Sequence, residues 1–422
     1  MQQRSTWCAV SAAFLSLFVG SVTRAQSCNA DINGDGVVNG QDLASVLANW
    51  GICQTMPSIS GVYPPVGPTT GGTPIAIIGV DLGRTASVTI DGVIASQFSV
   101  VSATTVTAVT PPGSPGPRTV VLRNQAGQEI ASSTFGYSVS ELPWAIVIEQ
   151  YPNSAVVTDA TLRTKIINTG LPWRVRDNGT GIEMVLIPPG TFQMGCSPSN
   201  QSGCGTSEVP VHTVTLTNAF YMGRYEVTQA QWTARMGSNP SEFQSASAQV
   251  PAGQVPNRPV ERVTWNRIAG SGGFMAQTGM RLPTEAEWEY AYRAGTTTAF
   301  HAMPDCPIGT NDDSLLGTIA WLNSNSAGQT RPVGQKAGNS FGLHDMSGNV
   351  MEWINDWYSA VYYTYSPSVN PRGPENSAGW LRVLRGGSWA LDSNYCRSSH
   401  RNFGEQWDDF FSGGGFRVVR DP

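Results

Sequence analysis

Side chains that carry oxygen recur at fixed intervals in one stretch near the start of this 422-residue chain. In DINGDGVVNGQD, residues 31–42, Asp or Asn occupies positions 1, 3, 5, 9 and 12, and Gly occupies position 6. A twelve-residue loop with this order of donors wraps around Ca²⁺, and the backbone carbonyl at position 7 adds a ligand. The alternative is a turn rich in Asn and Gly that holds no ion. The predicted calcium ligands are Asp31, Asn33, Asp35, Val37, Asn39 and Asp42.

Cysteines form the second group that could do chemistry. Six of the seven follow residue 25, and cysteines at short spacings form disulfides in an oxidising compartment. Cys396 is the single cysteine of RGGSWALDSNYCRSSHR, residues 385–401, and is the candidate catalytic residue. The candidate disulfides are Cys28–Cys53, Cys196–Cys204 and Cys306–Cys396. The sequence leaves open whether the last two cysteines pair or remain as thiols.

The first 25 residues have the pattern of a secretory signal peptide. They contain a basic residue, Arg4, then an apolar run over residues 7–22, and they end with a small residue, Ala25. The apolar run is interrupted by serines and is shorter than the ~20 residues that span a membrane. We therefore expect export to a periplasm, the cell surface or the medium, with no membrane span after signal cleavage.

The composition argues against a nucleic-acid partner. The net charge is −5, and Lys165 and Lys336 are the only lysines, so no basic face is available to neutralise phosphates. Charged residues make up 13% of the chain, while 46 Gly and 28 Pro indicate many turns and irregular loops. We therefore expect a loop-rich chain of several domains.

The elements that must position these residues fall into successive segments. Short alternating apolar runs, such as TPIAIIGV and RTVVLRN, are separated by turn residues and predict a small antiparallel β-sandwich. Further on, RLPTEAEWEYAYRAG, residues 281–295, predicts a helix capped by Thr284. The predicted boundaries are a signal peptide at 1–25, a calcium repeat at 26–56, the sandwich at 57–138, a connector at 139–181 and a C-terminal domain at 182–422.

Two of these segments resemble known modules. Residues 26–56 are similar to one repeat of a dockerin, a module that docks enzymes onto cohesin domains and normally carries two repeats. This resemblance implies calcium-stabilised structure and a cohesin-like partner. The opening of the sandwich, ISGVYPPVGPTTGGTPIAIIG, resembles the immunoglobulin-like IPT/TIG domains. That resemblance implies a spacer or adhesion module with no chemistry of its own.

Several motifs follow one another in the C-terminal segment: EMVLIPPGTFQMG, FYMGRYEVTQAQW, RLPTEAEWEYAYRAG, DMSGNVMEW, and LRVLRGGSW with GFRVV. In this order they resemble the formylglycine-generating enzyme family, also called sulfatase-modifying factors. The resemblance implies an irregular α+β fold related to the C-type lectin fold. The whole chain is then multidomain, with a small all-β immunoglobulin-like sandwich and a short EF-hand-like calcium loop and helix before this domain.

In this family the DMSGNVMEW motif forms a calcium site. Carried over position by position, the resemblance implies carboxylate ligands from Asp345 and Glu352 and backbone carbonyl ligands from Gly348 and Val350. Two carboxylates that flank a Gly-Asn turn can converge on one hard cation. The alternative is that Asp345 caps a turn and Glu352 pairs with an arginine.

Enzymes of this family oxidise a substrate cysteine to formylglycine with dioxygen and Cu(I), which two cysteines five residues apart hold. Soft thiolates select Cu(I) over harder metals. Counted from the GGS motif, Cys396 falls at the first cysteine, while Leu391 and Arg401 lie five residues before and after it. A shifted alignment puts Ser398 at the second cysteine. One thiolate is therefore missing, unless Cys306 comes close in space.

These residues leave three functions open. The sequence favours a calcium-stabilised family member that binds a protein or a glycan, carried on an exported chain. The alternative is an oxidoreductase that converts a protein cysteine to formylglycine with dioxygen, as in sulfatase maturation, with copper as its metal. In the third function, the role of these cysteines is structural only, and a Cys306–Cys396 disulfide cross-links the domain. An iron oxygenase is disfavoured because the four histidines lack the three-histidine motif of iron-binding relatives.

Overall fold

The fold is described from a computed structural model of the chain. The structure describes residues 40, 44, 56–138, 142–198, 203–303, 306, 308–376, 380–407 and 412–422. The predicted signal peptide, the predicted calcium ligands at 31–42 and the candidate disulfide Cys28–Cys53 lie outside the described residues, so they stay predictions.

Residues 58–138 form a sandwich of two β-sheets. Its strands are β1 (Ser58–Tyr63), β2 (Val66–Pro68), β3 (Pro74–Val80), β4 (Ser87–Ile90), β5 (Val93–Ile94), β6 (Gln97–Ser102), β7 (Thr105–Val109), β8 (Gly116–Arg123) and β9 (Glu129–Ser138). The strand orders are β1-β3-β7-β6 and β2-β9-β8-β4-β5. Side chains alternate along β3 and β7, and the inward ones, such as Ile77 and Val106, are fully buried. The alternating apolar runs therefore predicted this domain correctly.

Three further sheets lie between residues 145 and 420. Their strands are β10 (Ala145–Glu149), β11 (Arg174–Asp177), β12 (Glu183–Ile187), β13 (Gly190–Met194), β14 (His212–Leu216), β15 (Phe220–Gly223), β16 (Met351–Trp357), β17 (Leu381–Arg385), β18 (Asn402–Glu405), β19 (Gly414–Gly415) and β20 (Val419–Arg420). The strand orders are β10-β11-β12-β15-β20, β13-β14 and β18-β17-β16-β19. Because β12 lies in the middle of its sheet, residues 184–187 are all fully buried.

The α-helices within the described residues from 142 to 303 are short. They are α1 (Ala160–Ile167), α2 (Gln229–Met236), α3 (Trp265–Ala269), α4 (Phe274–Thr278) and α5 (Glu285–Arg293). Helix α5 confirms the helix predicted over 281–295. The Thr284 hydroxyl accepts from the Glu287 backbone N–H, and the Glu287 carboxylate accepts from that of Thr284, so the two form a capping box. Within the described ranges, no helix has the length and apolar character needed to cross a membrane.

The connector packs into the core of the C-terminal domain. Leu142, Val157, Leu162 and Ile166 are buried in the same apolar cluster as the residues of β12. Strands β10 and β11 extend the sheet that β12 and β15 form. The C-terminal domain therefore begins before residue 182, the boundary that the sequence predicts. The physical reason for this difference is that the apolar residues of 139–181 lie in several short runs, so no single periodic pattern marks them as part of that core.

Candidate functional site

The stretch around Cys396 follows strand β17 and a Gly-Gly turn. Gly386 and Gly387 have φ of 94° and 71°, in the left-handed region that favours glycine. The Gly386 carbonyl accepts from the backbone N–H of Gly348 at 2.8 Å, which ties this turn to the predicted calcium motif. A Cβ at Gly387 would lie 2.4 Å from the Cys396 Sγ. The turn therefore needs glycine where it packs against the thiol.

The Cys396 thiol is buried and protonated. Its residue is 0% exposed and packs in an apolar cluster with Phe300, Cys306 and Leu316. The Sγ makes a weak hydrogen bond to the Asp392 carbonyl at 3.7 Å. Burial raises the pKa of the thiol to about 12. The thiolate, which is the form that attacks a substrate or binds a metal, is therefore not formed at neutral pH.

The positions that the resemblance assigns to a second thiolate hold other groups. Leu391 is apolar, and the buried Ser398 hydroxyl donates to the Thr298 carbonyl at 3.2 Å. Arg401 makes two hydrogen bonds to the Glu285 carboxylate, at 2.7 and 2.9 Å. These residues do not fit a two-cysteine copper site.

One candidate disulfide in the described part of the chain is formed. The sulfur atoms of Cys196 and Cys204 are 1.96 Å apart. The candidate pair Cys306–Cys396 is corrected, because the Cys306 thiol donates to the Gly309 carbonyl at 3.1 Å and Cys396 carries a free thiol. A disulfide therefore closes the loop CSPSNQSGC but does not staple the Cys396 segment.

Buried arginine–carboxylate pairs fix the Cys396 segment. Arg385 donates to Glu289 and, at 2.9 Å, to the Ser398 carbonyl. Arg397 makes two hydrogen bonds to Glu208, at 2.7 and 2.9 Å. Both arginines and both glutamates are almost fully buried. Their charges therefore satisfy groups in the protein interior and do not line an open substrate site.

The predicted calcium motif lies in a buried group of carboxylates. The Asp345 Oδ2 accepts from the Gly334 backbone N–H at 2.6 Å, and its Oδ1 is buried with no hydrogen-bond partner among the described residues. The Glu352 carboxylate accepts from Arg417 through both oxygens, at 2.6 to 2.8 Å, and from the Trp288 indole at 2.7 Å. The arginine pairing considered as the alternative for Glu352 is thus present.

A third buried carboxylate, Glu226, joins this group, although no sequence motif points to it. It accepts from the Val350 backbone N–H at 2.9 Å and from the Asn349 amide at 2.6 Å. Burial, with the neighbouring charges of Asp345 and Glu352, raises the pKa of Glu226 well above its usual range. Burial likewise raises the pKa of Asp345 to about 6. Glu226 lies 124 residues before Val350 in the chain, so no local spacing could reveal the contact.

Comparison with known proteins identifies both large domains. Residues 173–422 match the family described as sulfatase-modifying factor enzyme 1-like domain, and residues 57–139 match the IPT/TIG domain. The formylglycine-generating enzyme of Streptomyces coelicolor is 41% identical over 146 residues, which are 33% of this chain and 45% of that protein. The formylglycine-generating enzyme of Thermomonospora curvata is 32% identical over 292 residues, 57% of this chain and 93% of that protein. Chaperone protein LppX of Paenibacillus barcinonensis is 31% identical over 264 residues, which are 52% of this chain and 82% of that protein.

The coverage differs among these relatives. The chain spans less than half the length of the Streptomyces protein but most of the Thermomonospora and Paenibacillus proteins. The family match covers more than half of the chain and includes Cys396, Asp345, Glu352 and Glu226. The chain therefore belongs to the sulfatase-modifying factor family.

Proposed function

We propose that this chain is a binding protein of the family, which recognises a protein or a glycan and does not oxidise cysteine. The state of Cys396 carries this proposal: the thiol is fully buried, and its pKa is raised to about 12. Leu391, Ser398 and Arg401 stand where the second thiolate would be. A domain that keeps the fold without the metal thiolates can still present a recognition surface. The relative named as a chaperone is consistent with a role in binding proteins.

The second candidate is the oxidoreductase that forms formylglycine. It is favoured by the two relatives named formylglycine-generating enzymes and by Cys306, which lies in the same buried cluster as Cys396. This function would require both thiols to lose their protons and become accessible to a peptide. The packing of Cys396 against the Gly-Gly turn opposes that change.

An assay for the aldehyde product separates the two functions. The purified chain would be incubated with a cysteine peptide of the sulfatase type, dioxygen and Cu(I), and the peptide would be analysed by mass spectrometry. We expect no conversion by the wild type and none by Cys396→Ser, while a formylglycine-generating enzyme run in parallel converts the peptide. Conversion by the wild type that Cys396→Ser abolishes would refute the binding proposal.

We also propose that calcium stabilises the protein. In the C-terminal domain Asp345, Gly348, Val350 and Glu352 would hold the ion, and the buried Asp345 Oδ1 offers an acceptor without a described partner. The Glu352 oxygens already bind Arg417, so they would share their remaining lone pairs with the ion. The dockerin-like loop, with ligands from Asp31 to Asp42, would hold a second ion.

Chelation tests the calcium proposal. Removal of calcium with EDTA is expected to lower the melting temperature of the wild type, because an ion that binds the folded state stabilises it by mass action. Asp345→Asn and Asp35→Asn should each remove part of this response. A melting temperature that EDTA leaves unchanged in all three proteins would exclude both ions.

We further propose that the chain is exported. The signal peptide predicted at residues 1–25 supports this proposal, the IPT/TIG domain would act as the spacer, and a cohesin-like protein would be the partner of the calcium repeat. The C-terminal domain would share the architecture of C-type lectins. Mass spectrometry of the protein from culture fractions should find a mature chain that begins near Gln26, and a chain that retains Met1 inside the cell would contradict export.

A further inference from the structure

A cleft of about 800 Å³ lies outside the Cys396 segment. Leu216, Phe220 and Leu282 line it and are buried. Residues at the start of helix α5, the chain segment 370–372 and Asn355 of strand β16 line it as well. Its volume falls within the range of about 300–1,000 Å³ that is typical of small-molecule sites.

Exposed polar side chains surround these apolar residues. Asn218, Asn355 and Arg372 are exposed at the cleft. Their side chains make no hydrogen bond or ion pair with any residue that the structure describes. An amide both donates and accepts hydrogen bonds, and a guanidinium offers five donors. The cleft therefore presents unused polar groups beside apolar side chains.

The charges of the cleft cancel. Arg281 binds the Glu287 carboxylate at 2.7 and 2.8 Å and Asp421 at 2.8 Å. With Arg372, the lining residues of the cleft thus carry two arginine side chains and two carboxylate side chains. A cleft whose charged side chains balance exerts no net electrostatic attraction on a polyanion or a polycation.

A row of aromatic rings begins next to the cleft. The Arg382 guanidinium donates to the Asn355 carbonyl at 2.6 Å and lies between two indole rings, 3.3 Å from the centroid of Trp357 and 3.7 Å from that of Trp265. Trp380 packs edge-on against Trp357, with ring centroids 5.9 Å apart. Trp380 is 57% exposed and its φ is 58°, a left-handed conformation that is strained for a tryptophan. The backbone thus holds a large indole in solvent at the end of this row.

We propose that the cleft and this aromatic row bind a neutral oligosaccharide. The inference rests on the binding function proposed above and names its ligand class. Sugar rings have apolar C–H faces, which pack on indole rings and apolar walls, and hydroxyls, which both donate to and accept from amides. One sugar would occupy the cleft, with its hydroxyls on Asn218, Asn355 and Arg372. A sugar further along the same oligosaccharide would stack on Trp380.

Binding to the full chain tests this inference. Isothermal titration would use cellohexaose, xylohexaose and chitohexaose as neutral probes, polygalacturonate as an anionic probe, and a pool of unstructured peptides. We expect at least one neutral hexasaccharide to bind. Asn355→Ala and Arg372→Ala should each weaken that binding by about tenfold, because each removes hydrogen bonds with a net free energy of order 1 kcal/mol. Trp380→Ala should weaken it several-fold.

Two matched variants control for general effects. Asn394→Ala removes an exposed amide that does not line the cleft, and Tyr63→Ala removes an aromatic ring that is 60% exposed on the sandwich. Both should leave the affinity within twofold of the wild type. All variants carry changes at exposed side chains, and an unchanged melting temperature would verify their fold.

The outcomes separate this inference from the proposed function. Binding of a neutral hexasaccharide that the cleft variants weaken and the control variants do not supports it. Binding of none of the neutral probes, binding of polygalacturonate or peptides alone, or affinities that the cleft variants leave unchanged would each overturn it. The aldehyde assay does not use these probes. If no peptide is converted and no oligosaccharide binds, the ligand class proposed here is refuted, whereas the proposed lack of oxidase activity is supported.

Discussion

Cys396 reacts only if its thiol can lose a proton and meet a reagent. The thiol is fully buried, and burial raises its pKa to about 12. We therefore expect iodoacetamide at pH 8 to leave Cys396 unmodified in the folded protein. Peptide mapping by mass spectrometry after a timed reaction would measure the modified fraction at this cysteine.

The same reaction in denaturant provides the control. There the Cys396 thiol is exposed with an ordinary pKa near 8.5, and modification should approach completion. Modification at comparable rates in the folded and unfolded states would contradict the buried position of Cys396 and would favour the oxidoreductase.

His301 should make the stability of the protein depend on pH. It is 0% exposed, and burial lowers its pKa to about 4 from a usual value of 6.5. The unfolded chain then binds a proton at this residue where the folded protein does not, so stability is lost as pH falls from about 6.5 to about 4. For this residue alone the loss is about 3 kcal/mol.

The variant His301→Asn isolates that contribution. Asn lacks the titrating group but can still donate to the Ala302 carbonyl, which the His301 Nδ1 contacts at 2.7 Å. In urea unfolding, the stability difference between wild type and variant should shift by about 3 kcal/mol towards the variant between pH 7 and pH 4. A difference that does not change with pH would show that His301 titrates normally in the folded state.

Residue roles could be predicted only where the chain itself brings the partners together. Cys196 and Cys204 are eight residues apart and were paired correctly. Glu226 accepts a hydrogen bond from Val350, which lies 124 residues later in the sequence, and Arg397 donates to Glu208, which lies 189 residues earlier. Those contacts depend on how several elements pack together, and no sequence pattern indicates that packing.

At the scale of elements, the Gly-Gly turn after β17 should be intolerant of a side chain. Gly387→Ala adds a Cβ 2.4 Å from the Cys396 Sγ at a φ of 71°. We expect it to destabilise the protein by roughly 1–3 kcal/mol more than Gly272→Ala. Gly272 has a φ of 72° with nothing within 4 Å of its Cβ, so it reports the backbone strain alone. Urea unfolding would measure both variants.

A double variant tests whether the thiol causes the extra cost. With Cys396→Ala in the background the Sγ is gone, although the Tyr395 carbonyl oxygen still lies 2.9 Å from the added Cβ. Gly387→Ala should then cost less than it does in the wild type, with a coupling energy of order 1 kcal/mol. Strictly additive costs would mean that the turn and the thiol do not pack as described.

The elements themselves divide into predictable and unpredictable ones. Helix α5 was predictable because its capping box lies in the local sequence, with Thr284 and Glu287 three residues apart. Strands of the sandwich were predictable from their alternation. Strand β19, of two residues, and the parallel pairing of Met351 with Gly414 were not, because neither carries a periodic pattern and the pairing spans two distant segments.

For the whole molecule, the question is where the C-terminal domain begins. The boundary predicted at 182 leaves six buried residues outside the domain core to which they belong. They are Leu142, Val157, Leu162, Ile166, Trp173 and Val175. Strand β11 also pairs along β12, and the Tyr221 hydroxyl donates to the Pro172 carbonyl at 2.7 Å. The domain therefore needs the connector for both its core and its sheet.

Two fragments test this requirement. Burial of six large apolar side chains contributes roughly 9–18 kcal/mol at about 1.5–3 kcal/mol each, which is comparable to the entire stability of about 5–15 kcal/mol of a domain. We expect fragment 142–422 to be soluble and to melt cooperatively, near the main transition of the full chain. Fragment 182–422 also loses the neighbour of β12, which leaves an apolar strand edge open, and it should aggregate or fail to melt cooperatively. A fragment 182–422 that melts at the same temperature as 142–422 in calorimetry would show that the domain begins at residue 182 after all.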